Sequence, residues 1–169
     1  MESTVKLYSL GYKEAKTYLF AALFIIGNIL FPQLCHLIPN GGHIFLPIYF
    51  FTLIGAYKYG WKVGLLTAVL SPIINSALFG MPAPAVLPSI MVKSTLLAIA
   101  AAAIASKSKS ISLPLLTAVV LSYQVIGCLV ESLIEGSFAA GFTDFTVGIP
   151  GMLVQIIGGY LAIRLILKK

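Results

Sequence analysis

Residues Ala85 to Ser106 read AVLPSIMVKSTLLAIAAAAIAS, 22 positions that are all apolar or small except for a single charge, Lys93. As a helix this stretch rises about 33 Å, enough to cross the roughly 30 Å hydrocarbon core of a bilayer. Five further apolar runs lie at roughly Thr17 to His36, Ile44 to Tyr57, Trp61 to Phe79, Ser112 to Leu133 and Phe145 to Leu167, with breaks where charges, Pro and Gly collect. The chain is 59% hydrophobic and 9% charged, with mean hydropathy +1.02. That composition has too little polar surface to cover a soluble globule. The expectation is an all-α integral membrane protein, a six-transmembrane-helix bundle in which residues 1–169 form a single membrane domain. The second run is short for a span. It is either extended by Asn40-Gly41-Gly42 or set where the bilayer is thinned.

The basic residues orient this bundle. Lys6, Lys13 and Lys16 precede the first run, Lys58 and Lys62 flank the second turn, Lys107 and Lys109 the fourth, and Arg164, Lys168 and Lys169 close the chain. The first, third and fifth turns have none. Because cytoplasmic loops are the ones enriched in Lys and Arg, both termini and the even-numbered turns are expected inside. The net charge of +6 then reflects orientation and attraction to an anionic leaflet. It forms no basic patch interleaved with aromatics, so nucleic acid is not an expected partner. The first run is longer than a signal-peptide core and no small-residue cleavage site follows it, so it reads as a helix. Cys35 and Cys128 have no metal-ligand spacing and read as free, packed thiols.

The outer side has different chemistry. Its connections run Leu37 to His43, Gly80 to Pro88 and Glu135 to Asp144, where Gly and Pro shape the backbone while Met81, Leu87 and Phe138 supply apolar area. Such loops suit a lid over a cavity, or are ordinary short connections. A charge at bilayer depth costs about 2.5–3.5 kcal/mol on insertion scales and normally faces the protein interior with a partner. Lys93 and Glu131 lie at similar depth from the outside and can pair. Either they pin two helices, or Lys93 receives a carboxylate or phosphate of a ligand while Glu131 receives an amine or amide. Asn75, Gln124 and Gln155 add uncharged hydrogen-bonding groups, each a candidate for an interhelical bond or a ligand contact. Gln124 stands two helical turns below Glu131 on nearly the same face. Pro72 frees a backbone carbonyl and predicts a kink in the third run.

Several functions are excluded by what is missing. There is no HExxH, GxSxG or phosphate-binding glycine loop, and no carboxylate cluster for a divalent metal is visible. His36 and His43 could reach a metal or macrocycle, but at this spacing they read as loop histidines, with His43 a candidate ligand contact. No enzyme, metal or cofactor is expected. Without acidic ladders or an inverted repeat, an autonomous secondary transporter is weakly supported.

The stretch Phe45-Leu46-Pro47 through Gly55, Tyr59-Gly60, Gly64 and Ser71-Pro72 to Gly80-Met81-Pro82, with short helices and a Gly-Pro-rich outer side, resembles the substrate-binding S component of energy-coupling factor (ECF) vitamin transporters. The resemblance implies a multi-pass protein of a prokaryotic plasma membrane that captures a vitamin or related micronutrient outside, such as a corrinoid, pantothenate or a haem-like ligand. It also implies partners, a transmembrane coupling subunit and two ATPase subunits that hydrolyse ATP. The family docks its coupling subunit through small residues of the first helix. Ala15, Ala21 and Ala22 occupy that end here, without an Ala-x-x-x-Ala spacing. The alternatives are a structural or partner-organising membrane protein, in which Lys93 and Glu131 only tie helices together, and an autonomous small-molecule transporter.

Overall fold

A computed structural model describes residues 3–4 and 7–167; Lys6, Lys168 and Lys169 lie outside the described residues. Helix occupies 82% of the chain and the one sheet has two residues in each strand, so the protein is all-α. In chain order the elements are β1 (Ser3–Thr4), α1 (Ala15–Cys35), α2 (Gly41–Phe45), α3 (Phe50–Tyr59), α4 (Trp61–Phe79), α5 (Leu87–Ser108), β2 (Ser110–Ile111), α6 (Leu113–Glu135), α7 (Phe138–Val147), α8 (Ile149–Leu153) and α9 (Gly159–Leu167). A 3-10 turn, Pro47–Tyr49, joins α2 to α3, and a π-helical turn, Val154–Gly158, joins α8 to α9.

Among the described residues, α1, α4, α5 and α6 are long and apolar enough to cross a membrane. A bent pair, Phe138–Val147 with Ile149–Leu165, adds a fifth if taken as one span. The outward face of α1 carries Leu19, Leu23, Ile26, Leu30 and Leu34, all exposed. A helix in water would put polar residues there, so this face is suited to lipid.

Two expectations about the runs need correction. Ile44 to Tyr57 is not one helix: Leu46 adopts a left-handed conformation, φ 47°, which a branched side chain rarely takes, and Pro47 follows. The chain therefore restarts as α3. The sixth run does not begin at Phe145, because most of the supposed loop from Glu135 to Asp144 is α7, which meets the following helix at 51°. Pro150 stands at the second position of α8, where its missing N–H breaks no intrahelical bond.

The core lies between α3, α4, α5 and α6, with Leu53, Ala56, Val63, Leu97, Ala98 and Val119 fully buried. Gly64 is the meeting point: a Cβ there would collide with Ala56 and press on Ala98, so α3, α4 and α5 approach at backbone distance. Small residues are the usual means of such packing in membranes, where lipid removes the hydrophobic drive between helices.

A second clamp is polar. Pro32 lacks the N–H that would bond to the carbonyl of Asn28 one turn earlier. Asn75 of α4 fills that vacancy, donating from Nδ2 to the Asn28 oxygen at 2.8 Å and to the Ser71 oxygen at 3.1 Å. Asn28 in turn donates to Thr52 and Ser71 at 3.0 and 3.2 Å and accepts from the first-turn N–H of Phe51 at 3.1 Å. One buried side chain thus ties α1 to α3 and α4.

The basic turns share one end. Backbone N–H groups of Tyr8 and Leu10 donate to Lys58 and Tyr59 at the α3–α4 turn. β1 pairs antiparallel with β2, and Tyr57 donates to the Ser110 carbonyl at 2.7 Å. The chain start, the Lys58–Lys62 turn and the Lys107–Lys109 turn are therefore neighbours. From Gly151 against Phe45, through Gly158 against Phe50, to Gly159 against Leu53, the last helices run beside α2 and α3 towards the same end.

Candidate functional site

At the opposite end α2, the start of α5, the end of α6 and α7 surround a cavity of about 1200 Å³. Its mouth is bordered by exposed residues including His36, His43 and Met81, and its floor reaches Asn75, Tyr49 and Lys93. Small-molecule sites span roughly 300–1,000 Å³, so a vitamin-sized molecule fits.

The charged wall is built from three helices. Lys93 of α5, 3% exposed, directs Nζ to Glu131 Oε2 of α6 at 2.5 Å and to Asp144 Oδ2 of α7 at 2.6 Å. Gln124 Nε2 donates to the same Asp144 oxygen at 3.2 Å. Two glycines permit this. A Cβ at Gly127 would collide with the Lys93 stem, and one at Gly141 would strike Ser132 and the Cys128 carbonyl. Gly127 thus lets the lysine lie across α6, and Gly141 lets α7 lie close enough to deliver Asp144. Buried without a partner, Lys93 would be strongly disfavoured; here it is held by both carboxylates.

Of the residues picked from sequence, Lys93, Glu131, Asn75 and His43 border the cavity. Gln124 is fully buried and acts on the site through Asp144. Gln155 does not reach that wall. It lies buried in the π-helical turn and accepts from the Tyr123 hydroxyl at 2.9 Å, while the Tyr123 ring packs on Tyr49 at 5.4 Å. Asp144, expected in a loop, stands on α7 and completes the cluster; it is the sole charged residue between Glu135 and Arg164, a signal the sequence carries. Asn28, an amide inside an apolar run four residues before a proline, was also passed over. Both cysteines are free and buried.

Cys128, Glu131 and Asp144 present ligand atoms within 4.8 Å of one another, a grouping that sequence separation had hidden. The Lys93 ammonium already sits on both carboxylates and supplies the positive charge that a metal ion would bring. At the N-terminal end of α1, Ala15 and Ala22 are exposed, whereas Ala21, expected to serve partner docking, is buried in the core.

No family profile, curated protein or solved structure matches the chain.

Proposed function

We propose that the protein is the membrane-embedded substrate-binding subunit of an ECF-type importer, capturing a vitamin-like micronutrient from the outer face of a prokaryotic plasma membrane. The observation that carries this reading is the cavity itself: it is open at the end away from the basic turns and walled by the Lys93–Glu131–Asp144 cluster. With the basic end cytoplasmic by the positive-inside rule, the cavity faces outward. In this topology α2 with α3 makes a short crossing and α7 through α9 a bent one, which gives six crossings with both termini inside.

The chain has no nucleotide-binding motif and no ladder of coupling carboxylates, so concentrating a ligand falls to a coupling subunit and two ATPase subunits. Reconstituted alone in vesicles, the protein binds at one site per chain and accumulates nothing. Adding the coupling subunit and ATPases gives ATP-dependent uptake. Accumulation driven by an ion gradient in the isolated protein would refute the proposal in favour of an autonomous transporter.

A further inference from the structure

We infer that the ligand of this cavity is an organic cation, an apolar body bearing a protonated nitrogen; the inference rests on reading the cavity as a small-molecule site. Seen in sequence, Lys93 looks like a receptor for a carboxylate or phosphate. In the fold it is already engaged by two carboxylates, Glu131 and Asp144. Two carboxyl groups against one ammonium give the cluster an excess of acidic groups, and Glu135 at the rim adds another. The histidines at the mouth, His36 and His43, are exposed and make no ion pair with the cluster.

Unused acceptors at the wall have the same polarity. Lys93 takes Oε2 of Glu131 and Oδ2 of Asp144, while Oε1 and Oδ1 have no protein donor among the described residues. Both side chains border the cavity and are partly open to it, 13% and 19% exposed. Asn75 gives an independent indication. It is 1% exposed and borders the cavity, both its donated hydrogen bonds go to backbone oxygens, and its Oδ1 is buried without a partner. A buried acceptor left unmatched is unfavourable, and this one belongs to a residue of the cavity lining. Tyr49 places an aromatic ring at the same wall, a surface that also favours cations. Met81, Ile90 and Val147 line the remainder and suit an apolar body.

The test has two arms. In the first, the protein is purified in mild detergent and any small molecule it retains is identified by native mass spectrometry and extraction. A species cationic at neutral pH is expected; a retained anion or neutral compound overturns the inference while leaving the receptor reading intact. In the second, calorimetry compares three probes with one aromatic body: tryptamine, the neutral alcohol tryptophol and the anion indole-3-propionate. Tryptamine should bind at least about tenfold tighter than the alcohol, the equivalent of one charge-assisted hydrogen bond, with the anion weakest. E131Q should shrink the cation-over-alcohol ratio towards one. Should E131Q fail to fold, the wild-type order alone decides. Equal binding of amine and alcohol, or tightest binding of the anion, would overturn the charge assignment. No retained molecule and no saturable binding of any probe would sink the receptor reading, and this inference with it.

Discussion

Replacing Lys93 with Met removes the ammonium but keeps a stem of similar shape lying across Gly127. Glu131 Oε2 and Asp144 Oδ2, now separated only by the space the ammonium held, lose the one cation that both contact. Removing one partner of a buried ion pair costs about 3–5 kcal/mol, because an uncompensated charge remains; here two remain, so the loss should reach the upper part of that range unless a proton is taken up. Neutralising the acids as well, in K93M/E131Q/D144N, removes the unpaired charges and should restore most of the lost stability. Buried ion clusters replaced by neutral groups of similar volume are often as stable as the original. The assay is reversible unfolding in mixed micelles of increasing SDS content, followed by tryptophan fluorescence of Trp61, the chain's one Trp. A K93M loss below about 1 kcal/mol, or a triple variant no more stable than K93M, would show that the three groups are not an energetic unit.

Gly127→Leu should displace the Lys93 stem, cost about 1–3 kcal/mol as an overpacked core does, and weaken ligand binding more than the same change at an exposed position of α6 such as Val125. Asn75→Leu leaves the Asn28 carbonyl without a donor and should cost about 1–3 kcal/mol; adding Pro32→Ala supplies an N–H to that carbonyl, so the double variant should recover part of the loss in the same unfolding assay. For sidedness, single cysteines at Pro39, Ala83 and Ala139, all exposed, in a background lacking Cys35 and Cys128, should react with an impermeant thiol reagent in intact cells. One at Ser106 should not, and the reverse pattern would invert the orientation. Gly41 and Gly141 are unsuitable positions because a side chain there meets the Cys35 or Cys128 carbonyl.

The apolar runs that became α1, α4, α5 and α6 were legible because each is a long stretch with at most one or two charges, and composition alone decides that a helix of this kind is a candidate span. The pairing of Lys93 with Glu131 was legible too, since a charge at depth demands a partner and few are on offer. Asp144 was not. Its role depends on α7 lying against α6, and that depends on Gly141 touching the Cys128 carbonyl, a contact between residues with no local pattern connecting them. The ten residues of α7 carry a glycine and two threonines and have no side-chain cap, so propensity and periodicity pointed to loop. The break at Leu46 followed from a backbone angle that its residue type disfavours, which no reading of propensities would assign. Asn75 was found for its polarity, but its work on α1 was hidden because the vacancy it fills belongs to a proline 43 residues earlier, 75 minus 32.

That repair has a consequence for biogenesis. In lipid a backbone carbonyl with no donor is worth several kcal/mol against the structure, and on α1 the donor for Asn28 comes from another segment, Asn75 of α4. If α1 enters a bilayer as it is made, it does so incomplete, with an amide side chain and a bare carbonyl at one level of its buried face. Until translation has delivered residue 75, that level must be served by water, by the insertion machinery or by a chaperone. The polar level of α1 is thus completed only once α4 has been made, a segment before α5 and α6.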